Sequence, residues 1–311
     1  LPPGASNPVS MLIKLLQVAL FENRRPFADR CAALYCFQSA LFQNQDMQLK
    51  IAATFLPASG GDGSSAGPAL ASAGPMLCQG LLMGDATTTW CAALAFSHVL
   101  VGTREAREKT LHVAIQLAAD APPVSLLSAC VRQLSGAQGT PGPESERKQA
   151  ALLVLLGAWL YDCAFAVRVF LESPEGTGCI MSLMAQAAGE NGPLIQGLAA
   201  VVMGTVLVYN DNSNEAVSAD KLLQTVQQRG GGVDAFLQTL DRFISSDIFA
   251  AAAKSPRYSS PHPAECWFDM ELARLFRNVA VTAQNLTGQL LASEAPTAGR
   301  VAASEGSAQG I

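Results

Sequence analysis

Apolar residues recur at three- and four-residue steps along most of this chain, and no stretch alternates apolar and polar residues for the length of a strand. Asn7-Pro8 announces the first helix, as an N-cap followed by proline at the first helical position. Leu12, Ile13, Leu15, Leu16, Ala19 and Leu20 then share one helical face to about Glu22. After a turn at 23–26, Pro26 opens a second helix through Phe42, and a third runs from Asp46 to Leu56. Further helices are predicted at 87–101, 103–118, 122–134, 144–161, 164–171, 177–188, 193–208, 218–228, 233–243 and 248–254, with one or two more in 264–291. Helix, short turn, helix is the recurring unit.

Within these helices, Ala-Ala followed by an aliphatic residue recurs at 32–34, 92–94, 150–152 and 199–201. Two Gly/Pro/Ser-rich segments, 57–75 and 135–148, lengthen the first two intervals. Without them the spacing falls to a little over 40 residues, close to the armadillo/HEAT period of about 40 to 47. Small residues on a repeat's inner helix let the next repeat stack closely against it. The predicted fold is therefore all-α, an armadillo/HEAT-like α-solenoid with a few C-terminal capping helices. Its repeats occupy 1–254 with flexible inserts at 57–75 and 135–148, a Pro/Ser linker covers 255–263, and the C-terminal helices cover 264–291. The apolar periodicity is lost over 292–311, which reads as a disordered tail.

Half of the 311 residues are hydrophobic and only 14% are charged, against a usual charged share of about 25%. That excludes a disordered chain or a long solvated coiled coil. The net charge is -5 and no basic run is longer than the pair Arg24-Arg25, so there is no basic stripe to meet nucleic-acid phosphates. Two uncharged stretches, Ala86–Thr103 and Asn191–Asn210, are interrupted by Thr, Ser, His, Pro and Gly, and read as buried helices rather than membrane spans. The N-terminus, with no basic region leading into an apolar one, reads as a fragment rather than a targeting signal. Eight scattered cysteines without a CxxC pair read as reduced core thiols of a cytosolic protein.

Little in the sequence offers catalytic or metal chemistry. Gly63-Ser64-Ser65-Ala66-Gly67 fits the G-x-S-x-G elbow but sits in low complexity with no strand before it. Gly230-Gly231-Gly232 lacks the Lys-Ser/Thr of a phosphate loop, and the Asn285-Leu286-Thr287 sequon is idle in the cytosol. His98, His112 and His262 have no His or carboxylate three or four residues on along a shared apolar-lined face. No catalytic residue, metal site or cofactor is expected. Two polar clusters remain: Arg24 and Arg25, and Tyr209, Asn210, Asp211 and Asn212. Each is either a helix cap and turn or a partner-facing edge, since solenoids expose their turns along a rim.

The segment Asn7–Gln38, NPVSMLIKLLQVALFENRRPFADRCAALYCFQ, resembles the general vesicular transport factor family, Golgi vesicle tethers of animals and fungi. Matches follow in the same order at Trp90–Ala93, Pro122–Leu127, Gln196–Leu198, Tyr209–Ser213, Phe243–Ser245 and Phe268–Asp269, so the resemblance runs from about Asn7 to about Thr287. The two inserts and the Ala/Gly-rich tail depart from it. The resemblance implies the C-terminal half of an armadillo-like head, without the family's coiled coil and acidic tail. It also implies a non-enzymatic scaffold for docking transport vesicles in ER-to-Golgi and intra-Golgi traffic, peripheral on Golgi membranes. Implied partners are a Rab-type small GTPase, SNAREs, golgins and an oligomeric Golgi tethering complex, with homodimerisation in the longer protein. The alternative on the same fold is an armadillo-type peptide-binding adaptor. Against it, Trp90, Trp159 and Trp267 are not followed by Asn at the helical spacing such grooves use.

Overall fold

A computed structural model describes residues 8–56, 70–116, 122–138, 142–185, 189–229, 231–256 and 265–294, with the single positions 120, 140 and 262. The described chain begins with α1 (Pro8–Phe21) and α2 (Phe27–Leu41), an antiparallel pair. Three similar triplets follow. They are α3 (Gln45–Ala53), α4 (Ala73–Met83) and α5 (Ala86–Val101), then α6 (Arg104–Leu111), α7 (Leu126–Gln138) and α8 (Pro143–Leu160), then α9 (Ala164–Glu172), α10 (Gly176–Ala185) and α11 (Gly192–Val208). The triplets begin at residues 45, 104 and 164, and each is ordered short, medium, long. Beyond them lie a 3-10 turn (Glu215–Val217), α12 (Ala219–Arg229), α13 (Val233–Ile244), α14 (Asp247–Ala252) and the 25-residue α15 (Met270–Glu294).

Stacking produces two rows: α1, α4, α7 and α10 form an outer row, and α2, α5, α8 and α11 an inner one. The inner helices run parallel. Arg30 near the start of α2 reaches Thr88 near the start of α5, while Gln48 Nε2 donates to the carbonyls of Leu41 and His98 at the other ends of the same two helices. Asn191 before α11 bonds Glu146 in the first turn of α8, and Tyr161 and Tyr209 meet just past the ends of those helices. Nearly every residue of α5, α8 and α11 is buried; α5, α11 and α8 from Ala150 on are apolar all round, while the first turns of α8 bury Ser145, Glu146, Arg147 and Gln149. The two uncharged stretches fall on α5 and α11, and among the described residues no helix is long and apolar enough to cross a membrane.

The Ala-Ala-aliphatic signature lies on all four inner helices. Ala92, Ala93, Ala150, Ala151, Ala199 and Ala200 are buried, as is Ala33, whereas Ala32 is exposed. The fourth side of the inner row is covered by α15. Asp269, just before it, meets His98 of α5, Phe276 lies against Gly157 of α8, and Ala283 against Gly204 of α11. These contacts are seven residues apart. Seven helical residues advance about 10 Å, which matches the 8–10 Å between packed helix axes.

Several boundaries differ from the sequence expectation. α4 was not expected, because Ala73–Pro75 fall in the Gly/Pro/Ser-rich segment; Pro75 is third in the helix, where its missing N–H has no intrahelical partner to lose. Ser135–Gln138 end α7 and Pro143–Lys148 open α8, so most of the expected 135–148 insert is helical. α6 stops at Leu111, and Ala114–Ile115 pairs antiparallel with Val124–Ser125, a short β-ladder the periodicity did not show. Ser125 Oγ then caps α7 by accepting from the Ser128 N–H. Residues 57–69 and 295–311, and Gly63–Gly67 with them, lie outside the described residues.

Two glycine substitutions on helices are expected to have opposite signs. A Cβ on Gly197 of α11 would overlap the ring of Phe243 on α13, so Gly197→Ala should cost about 1–3 kcal/mol by overpacking. A Cβ on exposed Gly136 of α7 meets nothing, so Gly136→Ala should gain about 0.5–1 kcal/mol. Urea unfolding of both variants beside the wild type checks the pair.

Candidate interaction sites

The two expected clusters stand on opposite edges of the body, because the inner helices are parallel. Arg24 and Arg25 lie in the α1–α2 turn at the edge formed by the inner helices' N-termini. Arg25 pairs with Glu22, and Arg24 is exposed with no ion pair among the described residues. The buried cation of this region is Arg30, which the sequence reading did not single out. Its Nε donates to the Ala19 carbonyl at 2.9 Å and its guanidinium reaches Thr88 Oγ1 at 3.2 Å, capping the end of α1 against α5.

Tyr209 to Asn212 lie at the other edge, past the end of α11. Tyr209 is half-buried edge-to-face with Tyr161, ring centroids 5.2 Å apart, and burial first, then Tyr161, push its phenol pKa up. Asn210 Nδ2 donates to the Val217 carbonyl at 2.8 Å, and Asn212, in the left-handed region at φ 55°, accepts from the Ala219 N–H at 2.8 Å. Asp211 accepts from the Ser213 backbone and pairs with Arg168, and the Ser213 hydroxyl first, then Arg168, hold its carboxyl well below the usual range. The cluster thus staples its own loop, while Asp211, Asn212 and Ser213 stay exposed at the edge.

A third polar assembly was missed altogether, since its members are 171 residues apart in sequence. His98 Nε2 lies 2.6 Å from Asp269 Oδ2 and Nδ1 lies 3.1 Å from Glu271 Oε2, with His98 and Asp269 both buried. Asp269 Oδ1 accepts the N–H groups of Glu271 and Leu272, capping α15. Burial alone pulls the His98 pKa down, but Asp269 and then Glu271 outweigh it and raise it from 6.5 to about 9. Nearby, Trp90 Nε1 donates to the Trp267 carbonyl at 3.0 Å, and the Arg147 guanidinium lies within 5.6 Å of the ring centres of Phe27, Trp90 and Trp267. Together these contacts latch the segment before α15 across α2, α5 and α8.

The same geometry decides the catalytic question at this spot. A cavity of about 250 Å³ beside His98 is lined by Ser39 and Asp269 as well, the residue types of a hydrolytic triad. Both ring nitrogens of His98 are occupied by carboxylates, and the ring is a cation at neutral pH, so it cannot take a proton from Ser39. Ser39 Oγ bonds its own helix, at the Tyr35 carbonyl. None of the eight cysteines is in a disulfide, and burial pushes the Cys31, Cys78, Cys130 and Cys179 thiols up to about 12; Cys36 departs from the core expectation by being exposed. Thr287 of the sequon is buried inside α15.

A family model described as "Uso1 / p115 like vesicle tethering protein, head region" matches residues 2–285. The chain belongs to this family. The general vesicular transport factor p115 of Mus musculus is 35% identical over 275 residues, 88% of this chain and 27% of that protein. Its Homo sapiens counterpart is 34% identical with the same coverage. Golgin candidate 6 of Arabidopsis thaliana is 27% identical over 193 residues, 60% of this chain and 21% of its own. The chain therefore spans about a quarter of the length of the p115 relatives. Among solved structures, the crystal structure of Uso1-1 superposes with a TM-score of 0.64 at 14% identity, covering 88% of this chain and 43% of that one. Uso1-2 gives 0.56 at 14% identity over 92% and 54%.

The helical solenoid is thus the fold of a Uso1/p115-like tethering head. In this head Trp90, Trp159 and Trp267 are buried, so no tryptophan ladder faces a peptide as the adaptor alternative requires. The α15 latch carries a pH signature. His98 has a folded-state pKa above its unfolded value, so its stabilisation is complete below about pH 6.5 and is lost as pH rises through about 9. His98→Gln should lose about 3 kcal/mol at pH 6.5, and its deficit against the wild type should shrink between pH 7 and 10. Urea unfolding across that range checks this, and a deficit independent of pH would contradict it.

Proposed function

We propose that this chain is a non-enzymatic protein-interaction scaffold, the head of a vesicle-tethering factor that docks transport vesicles in ER-to-Golgi and intra-Golgi traffic, peripheral on Golgi membranes. The observation that carries the reading is the match of the tethering head family over residues 2–285, supported by the shared solenoid fold. A tether needs a stiff body with several modest binding surfaces. The stacked repeats supply the stiffness, and a homodimer in the longer protein multiplies modest affinities through effective concentration.

Partners of the head are then read at its edges, since α15 closes the inner face. Exposed Arg24 and Arg25 offer cations at one edge, and the 209–213 loop offers carboxylate and amide groups at the other. That loop is already ordered by its own hydrogen bonds, so a partner spends little entropy in fixing it. The proposed partners are a Rab-type small GTPase, SNAREs, golgins and an oligomeric Golgi tethering complex, with the GTPase at the arginine edge.

Capture of Rab-type GTPases loaded with GTP or GDP by this chain tests the reading. GTP-dependent capture is expected, and Arg24→Glu with Arg25→Glu should reduce it about tenfold or more while leaving thermal unfolding unchanged, because both side chains are exposed. Equal or absent capture in the two nucleotide states would remove the GTPase from this head. Undiminished GTP-dependent capture by the double variant would remove the arginine edge.

A further inference from the structure

The cavity at the start of α15 lies apart from both edge clusters, on α2 and α5 and not on α11. Its floor is His98, Asp269 and Glu271, and neither Lys nor Arg lines it, so one cation faces two carboxylates. Asp269 is committed to His98 and to the α15 cap. Glu271 is different: Oε2 holds His98, while Oε1 has no protein partner among the described residues, and the side chain is partly exposed. The cavity also sits beside the last turns of α2 and α5, whose carbonyl ends add partial negative charge. Beside Gln38 and Ser39, its walls carry Tyr35, Phe42, Pro256 and Met270, with Phe42 and Met270 exposed by 50% and 44%. At about 250 Å³ it is smaller than the roughly 300–1,000 Å³ of small-molecule sites and suits a single long side chain.

We propose that this cavity is a docking site for one arginine side chain presented by a partner protein. The guanidinium would donate to Glu271 Oε1 and lie against the Tyr35 and Phe42 rings, with its aliphatic stem along Met270 and Pro256. Arginine fits better than lysine because its planar, weakly hydrated head can stack on a ring and donate to a carboxylate at once. The negative floor selects against acidic segments, and Glu271 Oε1, which would be left without a donor beneath an apolar side chain, selects against leucine. The site is independent of the vesicle reading, and its test contains neither GTPase nor membrane.

The probes are N-acetyl-glycyl-arginyl-glycinamide and its citrulline and leucine counterparts, titrated onto the chain with ligand-observed NMR. The arginine peptide should bind saturably, with transfer strongest to its side-chain protons, and the neutral citrulline isostere about tenfold more weakly. Glu271→Gln keeps an acceptor for His98 and should lower arginine affinity about tenfold. Phe42→Ala, an exposed change that leaves the core intact, should also weaken it and serves if the first variant unfolds early. No saturable arginine binding, equal binding of citrulline or leucine, or undiminished binding by the folded Glu271→Gln and Phe42→Ala variants would each overturn the proposal.

Discussion

A helix with no polar face is stable in water only when every side of it is covered, and α5, α11 and α8 from Ala150 to Leu160 are such stretches. Inner-row neighbours flank α5 and α8, α8 and α13 pack on α11, and an outer-row helix lies behind each. The remaining side is closed by α15 and the segment leading into it. That closure works because the heptad step of a helix equals the stacking distance of the repeats, so one straight helix can meet three successive layers at 269, 276 and 283. Glycines beneath Phe276 and Ala283 bring the backbones close. Where the helix begins, Asp269 caps it and joins it to His98 in the same side chain.

Much of this was legible in the sequence, and the limits have physical causes. The Ala-Ala-aliphatic signature identified the four inner helices, because close stacking demands small residues wherever one layer meets the next. Asn7-Pro8 and Pro26 located the starts of α1 and α2 within a residue. α4 was hidden because a helix tolerates Pro and Gly in its first turn, which in one dimension looks like a loop. The latch was hidden for a different reason: His98, Asp269 and Glu271, like Trp90 and Trp267, meet only through the crossing of α15, and no local spacing records that contact. The Tyr209–Asn212 cluster was visible, and the structure shows most of its polar atoms bonded within its own loop.

For function, the consequence is a division of labour between interior and edge. The residues with the most unusual chemistry, the His98 cation and the ring-enclosed Arg147, are spent on holding the solenoid and its C-terminal helix together. A Uso1/p115-like head therefore reads as a rigid carrier of surfaces. Its two edges differ, one carrying the exposed Arg24 and Arg25, the other an ordered Asn/Asp loop.

Hydrogen–deuterium exchange followed by mass spectrometry tests the closed inner face most directly. If α15 is the fourth wall of the inner row, residues 272–283 should exchange with the same slow kinetics as α8 and α11, as one cooperative unit. Exchange of α15 orders of magnitude faster than α8 and α11 would show an inner face that opens on its own and would contradict α15 as its fourth wall.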